Sequence, residues 1–205
     1  MASVELDLRG LDPGAAPPAE DVAPVASAAA VVVRGPVPAL SAVLTALLRA
    51  GRTADVPVAW EPADDPHSTG LARDLAVGTG AVRELSLVRD DHGGVLLHHG
   101  RLEAWSEEPR RALGRRLGLQ AHHDAMKIAD GTVTRLDVRP DWRSVDRIDV
   151  GLMTIPLRPV RRTKGRALQV ASDPARVVRD GVPFPRQVTR WTWYADDRVR
   201  WRLQP

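Results

Sequence analysis

The chain has 205 residues, 43% of them apolar, enough to bury one large core or two small ones. Its 29 basic and 26 acidic side chains leave a formal charge of only +3, and interspersed signs at so small a net charge argue against a nucleic-acid protein. Cysteine is absent, which removes disulfides, thiolate metal sites and Cys nucleophiles together.

Only Lys127 and Lys164 are lysines, so the positive charge is almost entirely arginine. Aromatics make up 4%, and six of the eight are Trp, so Val, Leu and Ala must fill most of the core. No apolar run approaches the ~20 residues that span a bilayer. The opening MASVELDLRG lacks the basic and apolar regions of a signal peptide, so a cytoplasmic location is expected.

Residues 1–27, rich in Pro, Ala and Gly, read as a flexible lead-in. Residues 28–34 (AAAVVVR) suit a buried strand. From Pro38 to Ala50, Leu40, Val43, Leu44, Leu47 and Leu48 recur at helical spacing, with Gly51 placed as a C-cap. Residues 56–60 (VPVAW) read as a second strand, completing a βαβ unit of the parallel kind. Ser68 or Thr69 is placed to cap a short helix running through Ala76.

After Gly80 the period changes to two. Residues 82–88 alternate like a strand, DDHGG at 90–94 reads as a turn, and 95–105 as the returning strand. Residues 109–117 read as a short basic helix or an exposed connection. Further strands are expected at 119–128, 132–138, 145–152 and 166–171, with a hairpin turn at Asp130-Gly131. Pro156 and Pro159, among Arg161, Arg162 and Lys164, suggest an exposed loop. Over 176–203 the reading is strand, Asp180-Gly181 turn, strand, a second turn at Asp196-Asp197, and a last strand carrying Trp201. Trp191 and Trp193 share a face opposite Arg190, Thr192 and Tyr194.

The predicted fold class is therefore α+β: a small α/β (βαβ) N-terminal portion over 28–80, then a larger antiparallel, β-sandwich-like domain over 81–205.

For chemistry, Ser68-Thr69-Gly70 lies between a strand and a helix. Unpaired N–H donors there can bind phosphate, or the residues can simply cap the helix. One His from each of the pairs His98-His99 and His122-His123, with Asp124, could meet a metal across paired strands. Adjacent strand residues face opposite ways, so exposed histidines are the simpler reading and no metal site is assigned. There is no G-x-x-x-x-G-K-[ST] loop, no G-x-G-x-x-G loop and no legible Ser-His-Asp nucleophile.

The order of these elements resembles the diacylglycerol kinase family, the lipid-kinase branch related to NAD kinases. That family's strand and Gly-Gly-Asp-Gly-Thr loop look like Val31-Val32-Val33-Arg34-Gly35-Pro36-Val37-Pro38 here. Its Pro-x-Gly-Thr-Gly-Asn-Asp-x-Ala-Arg run looks like Pro66-His67-Ser68-Thr69-Gly70-Leu71-Ala72-Arg73, two residues short. LSLVRDDHGG resembles the entry to the second domain, and Asp180-Gly181-Val182 the late Asp-Gly-Glu turn.

The resemblance implies an α/β nucleotide domain followed by a β-sandwich. It makes Gly35, Ser68, Thr69 and Gly70 the candidate phosphate or nucleotide contacts and Asp180 the candidate catalytic residue. The departures point away from catalysis. Only Gly35 survives of its loop, two prolines remove N–H donors, and Val182 replaces a carboxylate. Fewer than 30 residues precede the first expected strand, too few for the family's full initial unit.

The resulting expectation is a catalytically degenerate diacylglycerol-kinase-like protein acting as a binding or regulatory module. The alternative is a divergent active lipid kinase, and only then are ATP and Mg²⁺ implied. A lipid or nucleotide ligand, a protein partner or a second copy, and contact with a membrane surface without a spanning segment complete the expectations.

Overall fold

The computed structural model describes residues 2–107, 115–144, 146–154 and 158–205. Its α/β portion starts earlier than expected. Strand β1 (Ser3–Asp7) pairs in parallel with β2 (Ala30–Gly35), and β2 pairs in parallel with β3 (Pro57–Pro62). The segment read as a flexible lead-in thus opens with a sheet strand, continues through α1 (Ala19–Val22), and packs Leu6, Leu8 and Leu11 against the core. Its Pro and Gly content hid a five-residue strand whose burial alternates.

Between β2 and β3 runs α2 (Val37–Arg49). Leu40, Val43, Leu44 and Leu47 are fully buried, as the helical period requires. Pro36 is the N-cap residue, in extended conformation. At the far end Gly51 has φ +68, and the N–H groups of Gly51 and Arg52 donate to the carbonyls of Leu48 and Leu47 at 3.1 and 2.9 Å. This is a Schellman ending, which needs the left-handed residue that Gly supplies without strain.

Helix α3 (Pro66–Asp74) follows β3. Its cap is Asp65, not Ser68 or Thr69: the Asp65 carboxylate accepts from the N–H groups of His67 and Ser68 at 2.9 and 3.0 Å. Pro66 at the first turn fixes the start, because its missing N–H would have no helical partner.

The rest is antiparallel β. Strand β4 (Arg83–Asp90) turns through Asp91–Gly94 into β5 (Val95–Leu96), as expected. β6 (Gly100–Ala104), β7 (Leu117–His123), β8 (Met126–Val133), β9 (Arg135–Pro140), β10 (Ile148–Thr154) and β11 (Arg158–Gly165) follow. β12 (Ala167–Arg179), β13 (Val182–Pro183) and β14 (Val188–Gln204) close the chain. The expected helix or connection at 109–117 lies mostly outside the described residues; Leu117 itself opens β7.

Three local readings differ from the structure. Asp130 and Gly131 lie inside β8, paired with Gln120 and Leu119; the β7–β8 turn sits at Asp124, with φ 53. Burial of Leu117, Leu119, Ala121, Ile128 and Val133 sets that register and overrides the local Asp-Gly signal. Arg158–Gly165 is an edge strand rather than a loop. Pro159 is tolerated there at a register shift opposite Met153. Asp196-Asp197 is a bulge within one continuous β14, since the pairing with β4 skips between Asp196 and Arg200.

Strand β12 organises the β portion. One of its edges pairs with β14. The other pairs first with β7, over Leu168–Ser172, and then with β6, over Ala175–Arg179. The sheet forks there into a β7–β8 arm and a β6–β9–β10–β11 arm, which enclose one hydrophobic cluster like the layers of a sandwich. His123 and Arg161 bridge the arms, to Thr163 Oγ1 at 2.6 Å and to the Ile128 carbonyl at 3.2 Å.

Trp191 and Trp193 are buried in this cluster, while Arg190 is exposed. Trp201 belongs to the other core, with α2 and α3. Beyond it, Arg202–Gln204 pair in parallel with β3. The last strand thus finishes the α/β sheet as well as the β portion.

Candidate functional site

The N-termini of α2 and α3 meet. Ser68 is fully buried in the first turn of α3, and its hydroxyl oxygen accepts a hydrogen bond from the Val37 N–H at the start of α2, at 3.2 Å. The Gly35 carbonyl accepts from Trp60 Nε1 at 2.9 Å and from the Ala63 N–H at 3.1 Å. Gly35 itself has φ +153, and a Cβ there would lie 2.8 Å from the Leu8 carbonyl oxygen. Only glycine fits that close approach.

From the β portion, the Asp180-Gly181 turn reaches the same place. Both residues have positive φ, 49 and 91, as a two-residue type I′ hairpin requires. Asp180 is buried, and its carboxylate accepts three backbone N–H groups, those of Leu97, His98 and His99, at 2.8–2.9 Å. Burial pushes its pKa up, while these three donors pull the other way. Gly181 packs against the Pro13 carbonyl; a Cβ there would approach it to 2.6 Å.

A cavity of about 130 Å³ lies between these parts, lined by Val37, His67, His98, His99, Arg101 and Asp180 among others. Rings of His67 and His98 meet edge to face, 5.3 Å apart. Burial, then the charges of His67, Arg139 and His99, lower the His98 pKa to about 4, so that imidazole is neutral near pH 7. His99 Nε2 lies 3.1 Å from Asp137 Oδ1, and Arg135 grips the same carboxylate. Burial opposes ionisation of Asp137, but its bond to His99 and the charges of His99 and Arg135 outweigh it and hold the pKa low.

Of the residues singled out from sequence, Asp180 lines the cavity, and Gly35 and Ser68 stand behind Val37. Thr69 is exposed on α3, and a Cβ added at Gly70 would meet His98 Cε1 at an ordinary 3.7 Å. The histidine pairs do not converge. His99 adjoins the Arg179 end of β12, whereas His123 pairs with Leu168 at the opposite end. Asp124 is engaged as an acceptor for the Arg166 and Ala167 N–H groups. Among the described residues no three His, Asp or Glu side chains gather as a metal site would require. The sequence reading missed His67 and Arg101 as cavity walls. The only available signal was that His67 precedes Ser68 in a helix-start segment.

No family model and no curated protein matches this chain. Solved structures do. A diacylglycerol kinase from Bacillus anthracis str. Sterne superimposes with a TM-score of 0.66 at 10% identity, covering 91% of this chain and 81% of that one. An NAD kinase from Archaeoglobus fulgidus in complex with ATP gives 0.56 at 12% identity, covering 100% and 92%. The chain has the fold shared by diacylglycerol kinases and NAD kinases, an α/β portion joined to a β-rich portion.

Proposed function

We propose that this chain is a non-catalytic member of the kinase fold that works as a binding or regulatory module, with a boundary near Gly80 between a reduced nucleotide-type portion and the β domain. The observation that carries the reading is the commitment of the loop after β2 to internal contacts. Phosphate binding at such a loop needs free N–H donors at a helix start. Pro36 and Pro38 have none, and the Val37 N–H is held by Ser68.

The residues around the cavity also fit Mg²⁺-ATP poorly. Phosphoryl transfer relies on metal ions held by carboxylates beside the transferring group. Here the cavity walls are imidazoles and Arg101, and Asp180 spends its oxygens on three backbone donors. About 130 Å³ is well below the roughly 300–1,000 Å³ of small-molecule sites.

An active ATP-dependent lipid kinase is the competing reading, and it needs ATP and Mg²⁺ at this cleft. Following ADP formation by the full chain with Mg²⁺-ATP and diacylglycerol separates the two. The module reading expects no ADP above the chain-free background. Saturable, chain-dependent ADP formation would favour the kinase. Among the described residues no helix is long and apolar enough to cross a membrane, and the reading places the module in the cytoplasm.

A further inference from the structure

We infer that the open face of the β9–β10–β11 sheet is a binding site for a small soluble anion of the phosphate-ester class. The inference rests on the module reading and says where such a module binds and what.

The site begins with one missing side chain. Along β10, Asp149, Gly151 and Met153 project away from the core, because Ile148, Val150 and Leu152 take the buried face. Gly151 pairs with Asp137 on one side and Arg162 on the other. A Cβ added at Gly151 would meet nothing nearer than Met153 Sδ at 3.9 Å, so the glycine serves neither strain nor close packing. Its effect is a depression in the middle of a charged sheet face. The hollow measures about 660 Å³, within the size range of small-ligand sites.

The charges around it are unequal. Arg135, Arg139, Arg162 and Lys164 face two carboxylates, Asp137 and Asp149. Asp137 is occupied by His99 and Arg135. Lys164 is shared between Asp141 at 2.9 Å and Asp149 at 3.6 Å. The side chains of Arg139 and Arg162 make no hydrogen bond or ion pair among the described residues, and both are exposed. Two free guanidinium groups thus stand on strands β9 and β11, either side of a floor that has no side chain. A guanidinium presents paired N–H donors that match two oxygens of a phosphate. Concavity selects a small molecule, since a flat lipid surface cannot reach the floor beside Gly151. His99 borders both this hollow and the smaller cavity at Asp180, which joins the site to the cleft of the kinase fold.

The test is calorimetric titration of the full chain with sodium pyrophosphate at fixed ionic strength. Saturable binding is expected. The Arg139→Ala/Arg162→Ala double variant should bind at least about tenfold more weakly, the loss set by forfeited charge-assisted bonds. Gly151→Leu, which fills the hollow and leaves the charge unchanged, should also weaken binding. Arg190→Ala, an exposed arginine elsewhere, should behave as wild type. Unchanged melting of the double variant keeps the comparison free of folding defects. Absence of saturable binding, or equal binding by wild type and the double variant, overturns the inference. So does arginine-dependent binding to phosphatidylserine vesicles without binding of pyrophosphate. The module reading fails separately, by phosphoryl transfer from ATP, whatever the outcome with pyrophosphate.

Discussion

The Ser68 hydroxyl accepts the Val37 N–H at 3.2 Å, so the starts of the two principal α/β helices are tied to each other. In a phosphate-binding loop that N–H would face a ligand. Here it is an internal bond between buried residues. Ser68→Ala should therefore act on stability, leaving a buried donor unpaired at a cost of about 1–3 kcal/mol. Denaturant unfolding at constant m-value measures it. A variant with an unchanged midpoint would show the bond contributes nothing.

Asp180 links the hairpin turn to the Leu97–His99 segment through three backbone bonds. Asp180→Ala leaves one buried and two half-buried N–H groups without acceptors and should cost roughly 2–5 kcal/mol. Asp180→Asn keeps one acceptor oxygen but sets an NH₂ against the third N–H, so it should fall between wild type and Ala. Thermal melts give the order, and an Asn variant as stable as wild type would contradict the assignment.

The closing strand carries weight in both cores. Trp191→Ala or Trp193→Ala should cost roughly 3–5 kcal/mol, the usual range for emptying a buried Trp site. Arg190→Ala should be within about 0.5 kcal/mol of wild type, as for exposed substitutions generally. Removing residues 186–205 also strips β3 and β4 of their partner β14 and should abolish folding. A soluble truncation with a cooperative melt would refute this.

Stability should depend on pH through His98. Its folded pKa, about 4, lies below the ordinary histidine value of 6.5, so between these values the unfolded chain binds more protons. Stability from this group is full above about pH 6.5, falls as pH drops, and levels near pH 4. The charges of His67, Arg139 and His99 around it act in the same direction. Melting His98→Gln alongside wild type from pH 7 to 4 should show a shallower decline in the variant. Parallel curves would show that His98 does not carry the pH dependence.

The fold was legible where long periodic patterns met clear stops. Leu40 to Leu48 with Gly51 gave α2, the valines before Gly35 gave β2, and the Trp191/Trp193 parity gave the core face of β14. Failures came where a local turn signal met a long-range register. Asp130-Gly131 and Asp196-Asp197 both lie within strands, because partners distant in sequence fix the pairing there. β1 escaped because its partner β2 begins 27 residues after it and proline-rich chain lies between. Of the residues in and behind the cavity, Gly35, Ser68 and Asp180 were singled out through their resemblance to kinase motifs. Gly151 was not, since its significance lies in the Asp137 and Arg162 that pairing sets beside it.

Transfer of labelled γ-phosphate from Mg²⁺-ATP to diacylglycerol in mixed micelles decides whether this kinase fold carries kinase chemistry. No transfer above the protein-free background is expected at any chain concentration. Transfer that scales with the chain and vanishes at the chain's own melting temperature would make the chain a lipid kinase.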